Sequence, residues 1–312
     1  MNLEDMLIME VPKKILQHVS SKNKLKPSGS SIESYAGAIA KYQQDIGKQV
    51  VASYRYAGRT TISLYKPLVG IDKRFNSQSL FKNYLVEKYG SGIFAQGLTP
   101  DIMDKPIIYS ATELGNKIIL CYTYLGQERR VFRQYKIVKE RPQVIDYIVV
   151  HFNPLAIELR VPQSKALVFI KAFLETIDGK SDAEWFNLTE LSNREAKELI
   201  DRLEAGLKGA KHKMPEGPYD TVEVRANINV EDLFRDKSYQ EEFSNTPYKN
   251  MTVSFSYSHN IGLEEKISLR INPKSINFYS AVSEEIIDYM IDNIFLIKHE
   301  TTKQITSAME NV

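Results

Sequence analysis

The sequence predicts an α+β protein made of two lobes of antiparallel sheet covered by helices. Three observations carry that expectation. Between residues 106 and 162 the runs PIIYSATE, KIILCYTYL, RRVFRQYKIV, VIDYIVVHF and AIELRVP follow one another across links too short for crossover helices, so the strands must meander. Around them, apolar residues recur at helical spacing. And a strand–Asn-Pro–strand–helix unit, ββα, occurs twice: HFNPLAIELRVPQSK before LVFIKAFLETI, and RINPKSINFYSAVSEE before IIDYMIDNIFLI.

Taken in order, residues 1–28 hold an amphipathic piece, EVPKKILQHVSS, and the start of a polar linker, KNKLKPSGS. They read as an N-terminal helical arm, with Lys13, Lys14, Lys22, Lys24 and Lys26 available to a polyanion. Residues 29–178 read as a basic α+β lobe. Ser30-x-x-Glu33 is a capping box opening a helix whose face is Ile32, Tyr35, Ala36, Ile39, Tyr42 and Ile46. The β-branched and aromatic runs flanking Ala57-Gly58-Arg59 read as a hairpin. SLFKNYLVEKYG is a helix stopped at Gly90, the meander follows, and a helix at about 164–177 closes the lobe.

The segment Asp178–Asp182 is polar and glycine-containing and marks the boundary, with Arg141-Pro142, where the charge changes sign, as the competing break. Residues 183–298 read as an acidic α+β lobe. It opens with the capping box Ser192-x-x-Glu195 and a helix burying Ala196, Leu199, Ile200, Leu203 and Leu207. The linker GAKHKMPEGP, four strands and an apolar helix from about Ser283 to Lys298 follow, and 299–312 is a polar tail. Aligning Asn153-Pro154 with Asn272-Pro273 places Ile157 on Ile276 and Leu159 on Phe278. Asn tolerates turn geometry and Pro fixes φ, so each unit is a tight hairpin running into a helix that packs on it. The repeat is architectural.

Composition narrows the function classes. A hydrophobic share of 43% with 26% charged residues excludes wholesale disorder. No apolar run approaches the ~20 residues needed to span a bilayer. The first residues are acidic before they are apolar and lack a small-residue cleavage site, so no secretory signal is expected. The one cysteine, Cys121, lies in an apolar strand and excludes an internal disulfide framework, which fits a cytoplasmic setting. The net charge of +2 hides an asymmetry: 22 Lys and Arg stand against 12 Asp and Glu through Pro142, and 19 against 27 from Gln143 on.

Candidate chemistry is sparse. Asp146 with Glu158 and Arg160 matches the acidic layout of a metal-dependent nuclease, except that arginine replaces the catalytic lysine and cannot lose its proton. The five histidines show no metal-ligand spacing. Gly179-Lys180-Ser181 lacks the phosphate-loop glycine five residues earlier, where Leu174 stands. No catalytic residue, metal or cofactor is therefore assigned. The strongest signal is basic and aromatic. Tyr54, Arg55, Arg59 and Lys66 lie in the first hairpin, and Arg129, Arg130, Arg133, Lys136 and Lys139 in the meander. Cations among exposed aromatics suit phosphate neutralisation with base stacking.

The reading that follows is a non-enzymatic nucleic-acid-binding or assembly subunit of a bacterial or phage-related multi-protein system. Its basic lobe would sit on the phosphate backbone of DNA or RNA, its acidic lobe on a protein partner or a second copy, with no membrane involved. The alternatives are a nuclease using Asp146 and Glu158, and a purely structural protein-interaction subunit.

Overall fold

The computed structural model describes residues 2–57, 60–68, 75, 77–179, 184–216, 218–243 and 246–310. The elements run α1 (Leu3–Glu10), α2 (Lys13–Lys22), α3 (Ile32–Tyr42), α4 (Gln44–Tyr54), β1 (Thr61–Pro67), α5 (Gln78–Tyr89), β2 (Ile107–Leu114), β3 (Lys117–Leu125), β4 (Arg129–Arg133), β5 (Lys136–Glu140), β6 (Gln143–Phe152), β7 (Leu155–Arg160), α6 (Ala166–Thr176), β8 (Trp185–Asn187), α7 (Asn193–Arg202), β9 (Gly206–Lys213), β10 (Thr221–Arg225), α8 (Lys237–Phe243), β11 (Tyr248–Ser258), β12 (Glu264–Asn272), β13 (Ser275–Phe278) and α9 (Glu284–Glu310). The α+β class with antiparallel sheets and covering helices is what the strand and helix periodicities predict. No helix among the described residues is long and apolar enough to cross a membrane.

Two compact units form: a central one, Thr61–Glu190, and a discontinuous one, Met1–Thr60 with Leu191–Val312. This differs from the linear division into arm, basic lobe and acidic lobe, because the N-terminal helices share a unit with the C-terminal half. In the central unit the strand order is β8-β1-β7-β6-β3-β2, every pairing antiparallel. One sheet face carries Leu120, Tyr122, Tyr124, Ile148, Val150, Ile157 and Leu159, packed with Phe81, Tyr84 and Leu85 of α5 and Phe169 and Phe173 of α6. The Phe169 ring meets Tyr122 and Tyr124 edge-on at 5.9 and 5.8 Å. Ser77 caps α5, and Gly90 ends it at φ 81°, a left-handed conformation that glycine adopts without strain.

In the discontinuous unit the order is β10-β9-β11-β12-β13. Residues 1–28 are not an arm. Leu7, Val11, Ile15, Leu16 and Val19 are buried with Ala36, Ile39, Val50, Val51 and Tyr54 in one helical cluster, and Lys14 ion-pairs with Glu265. Nor do residues 50–66 form a hairpin, since their first half is α4. The β-branched run KQVVASY favours strand by propensity, but its Val50, Val51 and Tyr54 fall on one helical face and meet that apolar cluster, so packing overrides propensity. Gly47 makes room for the approach: a Cβ there would stand 3.2 Å from both Ile39 and Leu3 side-chain carbons.

Smaller expectations also shift. The cap of α3 is Ser31, accepting from Ser34 N, one residue beyond the expected Ser30 box. The Ser192–Glu195 capping box forms as read, and Ala196, Leu199 and Ile200 are buried in α7. Leu203 caps that helix, while Leu207 belongs to β9. The expected linker GAKHK is itself the body of β9, and α9 continues past Lys298 to Glu310. Both ββα units fold as hairpin then helix. Their closing pairs are Phe152↔Leu155 and Asn272↔Ser275, so the two-residue turns are Asn153-Pro154 and Pro273-Lys274. The Asn-Pro alignment is thus out of register by one, and a one-residue slip exchanges the sheet faces.

Leu16 and Ile287 are both fully buried. Each change to Ala is expected to cost about 2–5 kcal/mol, measured by denaturant unfolding. An N-terminal arm would give no loss for Leu16→Ala.

Candidate nucleic-acid interface

The ladder between β3 and β6 is uninterrupted from Lys117↔His151 to Leu125↔Gln143. Because Leu125 already opposes Gln143, the residues between them cannot join the sheet and must leave it as a separate ribbon. The stretch RRVFRQYKIV, expected as one strand, folds back on itself as β4 and β5. Its pairs are Arg129↔Glu140, Arg130↔Lys139, Val131↔Val138, Phe132↔Ile137 and Arg133↔Lys136. Gln134 and Tyr135 make the two-residue turn at φ 46° and 62°, the two positive φ values of a type I′ hairpin. The base is fastened: Gly126 N donates to Pro142 O at 2.8 Å, Arg141 Nε donates to Gly126 O at 3.0 Å, and Arg141 pairs with Asp104 at 2.6 Å.

Both faces of this ribbon are exposed. Phe132 is 71%, Tyr135 92% and Ile137 70% exposed, and the Phe132 and Tyr135 rings meet edge-on at 6.5 Å. Alternation sorts the cations. Arg129, Arg133 and Lys136 share a face with Glu140, which pairs with Arg129 at 2.7 Å and Arg133 at 2.9 Å. Arg130 and Lys139 share the other face with Phe132 and Ile137, and Lys139 pairs with Glu128 at 3.0 Å. Among the described residues neither Arg130 nor Lys136 has a carboxylate partner. The five meander cations expected from the sequence are therefore brought together with the exposed Tyr135 read beside them, on a ribbon whose second bare ring, Phe132, was not singled out. Its signal was present in the alternation Val131-Phe132 and Ile137-Val138 about Gln134-Tyr135, but no glycine or proline marks the turn.

The other expected contacts belong to other elements or lie outside the described residues. Tyr54 is buried at the end of α4, where burial raises its phenol pKa, so it is a core residue. Arg55 follows as the exposed C-cap, its guanidinium 5.4 Å from the Tyr56 ring. Both belong to the discontinuous unit. Lys66 is exposed on β1 of the central unit, and Arg59 lies outside the described residues.

The acidic pair of the nuclease reading is separated by the same register. Val149 opposes Glu158, and Asp146 is three residues from Val149 on β6, so the two carboxylates leave opposite faces of the sheet. They form no joint metal site, and among the described residues no cluster of three or more His, Cys, Asp or Glu could hold a metal ion. Asp146 accepts from the Tyr124 hydroxyl, to which Lys165 Nζ donates. Burial pushes the Asp146 carboxyl up, against the opposing pull of that hydroxyl and of Lys165. Glu158 is fully buried between Arg160 Nε at 2.6 Å and His151 Nε2 at 3.0 Å. Burial alone would raise its carboxyl, but the Arg160 guanidinium and His151 outweigh it and hold the group far below the ordinary carboxylate range. Cys121 is buried beside them in β3.

No protein-family profile and no curated protein sequence matches the chain.

The folded pKa of Glu158 lies below its unfolded value, so its stabilisation is present above the ordinary carboxylate pKa, near 4.5, and is lost as pH falls from there. Removing the charge from this buried pair with Glu158→Gln is expected to cost about 3–5 kcal/mol at neutral pH. Below pH ~4 the gap between wild type and variant should narrow, which unfolding curves across a pH series would measure.

Proposed function

We propose that the protein is a non-enzymatic nucleic-acid-binding subunit that uses the β4–β5 ribbon to contact the phosphate backbone and bases. The observation that carries this reading is one ribbon, exposed on both faces, bearing Arg129, Arg130, Arg133, Lys136 and Lys139 around bare Phe132 and Tyr135. A two-stranded ribbon fits the major groove of B-form DNA, and exposed aromatic rings supply stacking faces for unpaired bases. Arg130 and Lys136 meet phosphate without first giving up a carboxylate. Arg129, Arg133 and Lys139 exchange exposed ion pairs, which hold little energy in water, for phosphate contacts.

The central unit holds 17 Lys and Arg against 14 Asp and Glu, so its excess is small and the ribbon concentrates it. Binding is therefore local rather than a property of the whole basic half. It is electrostatic and weakly sequence-dependent. The setting, a cytoplasmic multi-protein system of bacterial or phage origin with a protein partner on the acidic half, belongs to the same proposal.

The double reversal Arg130→Glu with Lys136→Glu should weaken binding to all sequences alike and flatten the logarithmic salt slope by about two. Arg129→Glu with Arg133→Glu should flatten it less. Filter binding over a salt series on a mixed-sequence duplex and a single strand measures both. Equal losses from all reversals would mean diffuse attraction, and absence of binding at low salt would leave the ribbon a protein-docking element.

Phe132→Ala and Tyr135→Ala should leave the salt slope unchanged while lowering single-strand affinity about five- to a hundredfold, the weight of one lost base stack. Unchanged affinity for both would remove the rings from the interface.

A further inference from the structure

The sheet of the discontinuous unit buries one face and leaves the other to solvent. Met251, Val253 and Phe255 of β11 and Ile267, Leu269 and Ile271 of β12 point inward. The residues between them point outward, and the register lines them up across five strands. Arg225 opposes Gly209, Gly209 opposes Thr252, Thr252 opposes Arg270, and Arg270 opposes Asn277. Two arginines thus flank a floor of glycine and threonine. Adjacent strands lie ~4.8 Å apart, so the arginine backbones stand roughly 14 Å apart with room for both guanidinium groups to converge on one small anion.

Gly209 lets β10 approach closely here: a Cβ there would stand 3.1 Å from Val224 O and 3.7 Å from Arg225 Cγ. A depression of about 250 Å³ lies over this floor, bounded by Lys208, Glu223, Arg225, Asn250, Arg270 and Tyr279. Arg270 is fixed rather than free. Its guanidinium lies over the Tyr279 ring at 5.6 Å, and the Tyr279 hydroxyl is 3.3 Å from Thr252 Oγ1. Arg270 Nε is closed off from solvent and has no hydrogen-bond partner among the described residues. A buried donor of this kind is costly and calls for an acceptor. Glu223, which lines the same depression, is bonded through one oxygen to Arg225 Nε at 2.9 Å and Nη2 at 2.8 Å, and its carboxyl is held low first by Arg225 and further by Arg270 and Lys211. Planar, bidentate donors on a stacked guanidinium match tetrahedral oxyanions better than an ammonium does.

We propose that this row is a phosphate-binding site, with Arg270 and Arg225 clamping a phosphoryl group above Gly209 and Thr252. The recognised chemistry is a phosphate monoester or diester, supplied by a free phosphorylated metabolite or by a nucleic-acid strand. This site is independent of the β4–β5 ribbon, so either can fail alone.

Inorganic phosphate, adenosine monophosphate and an unphosphorylated oligothymidylate serve as probes, with binding followed by calorimetry on the full chain. Arg270→Met keeps packing on Tyr279 but removes the donors, and should lower affinity for the best probe about tenfold or more. Arg225→Gln, at an exposed position, should do the same if Arg270→Met fails to fold. Lys266→Gln, on the same face four residues along β12, should change affinity less than twofold. Binding of phosphate and the mononucleotide identifies a small-molecule site, and oligonucleotide binding that Arg270→Met weakens identifies a strand site; oligonucleotide binding alone that Arg270→Met leaves unchanged belongs to the ribbon and would overturn the proposal. No probe binding, or equal weakening by all three substitutions, would overturn the proposal.

Discussion

The β3–β6 ladder is the constraint on which the central unit depends. Its nine consecutive pairs, Lys117↔His151 to Leu125↔Gln143, fix which side of every strand faces the α5–α6 core. Tyr122, Tyr124, Ile148 and Val150 go inward together because none of those pairs slips. The same regularity expels residues 126–142, which have no strand left to pair with, and ties off their base through Gly126, Pro142 and Arg141. It also decides the chemistry of the acids. A single bulge between Asp146 and Val149 would have put Asp146 on the Glu158 side. Without one, Asp146 lies with Tyr124 and Lys165 while Glu158 is sealed with Arg160 and His151.

Much of this architecture was legible in the sequence, and the failures share a cause. Strands β2, β3, β6 and β7 were readable because β-branched and aromatic residues are continuous there and turn residues bracket them. The Ser192–Glu195 box was readable because capping is local. Helix α4 was not, since Val50, Val51 and Tyr54 are helical only by virtue of the cluster formed with Leu7, Ile15 and Leu16, which are distant in sequence. The arm failed for the same reason: a short amphipathic piece says that it will bury a face without saying where. The ribbon turn failed for the opposite reason, because Gln134 and Tyr135 adopt positive φ without the glycine that would announce it.

The charge asymmetry was a true property of the chain but a poor map of its surface. Splitting at Pro142 gathers the N-terminal lysines with the meander cations, whereas folding assigns the former to the discontinuous unit, which holds 24 Lys and Arg against 25 Asp and Glu. What matters to a polyanion is local density after internal pairing. Glu140 alone occupies Arg129 and Arg133. In the acidic half the sheet face of β9–β12 opposite the core presents Lys211, Arg225, Lys266 and Arg270 alongside Glu223 and Glu264. Net charge misses this arrangement because strand alternation sorts residues by face.

The role proposed for the ribbon sets binding against local stability. A lone two-stranded hairpin is marginal in water, and this one buries neither face. Its turn adds cost, since non-glycine residues at positive φ are disfavoured by about 1–2 kcal/mol each. What holds it is the fastening at Gly126, Pro142 and Arg141 and the cross-strand Phe132–Ile137 and Val131–Val138 pairs. Its opening free energy is therefore small beside that of the β3–β6 ladder. A ligand that binds only the closed ribbon must supply the ordering energy, which lowers affinity. Phe132 and Tyr135 leave most of their surface in water in the free protein, so on the proposed reading their main energetic return comes when a partner covers them.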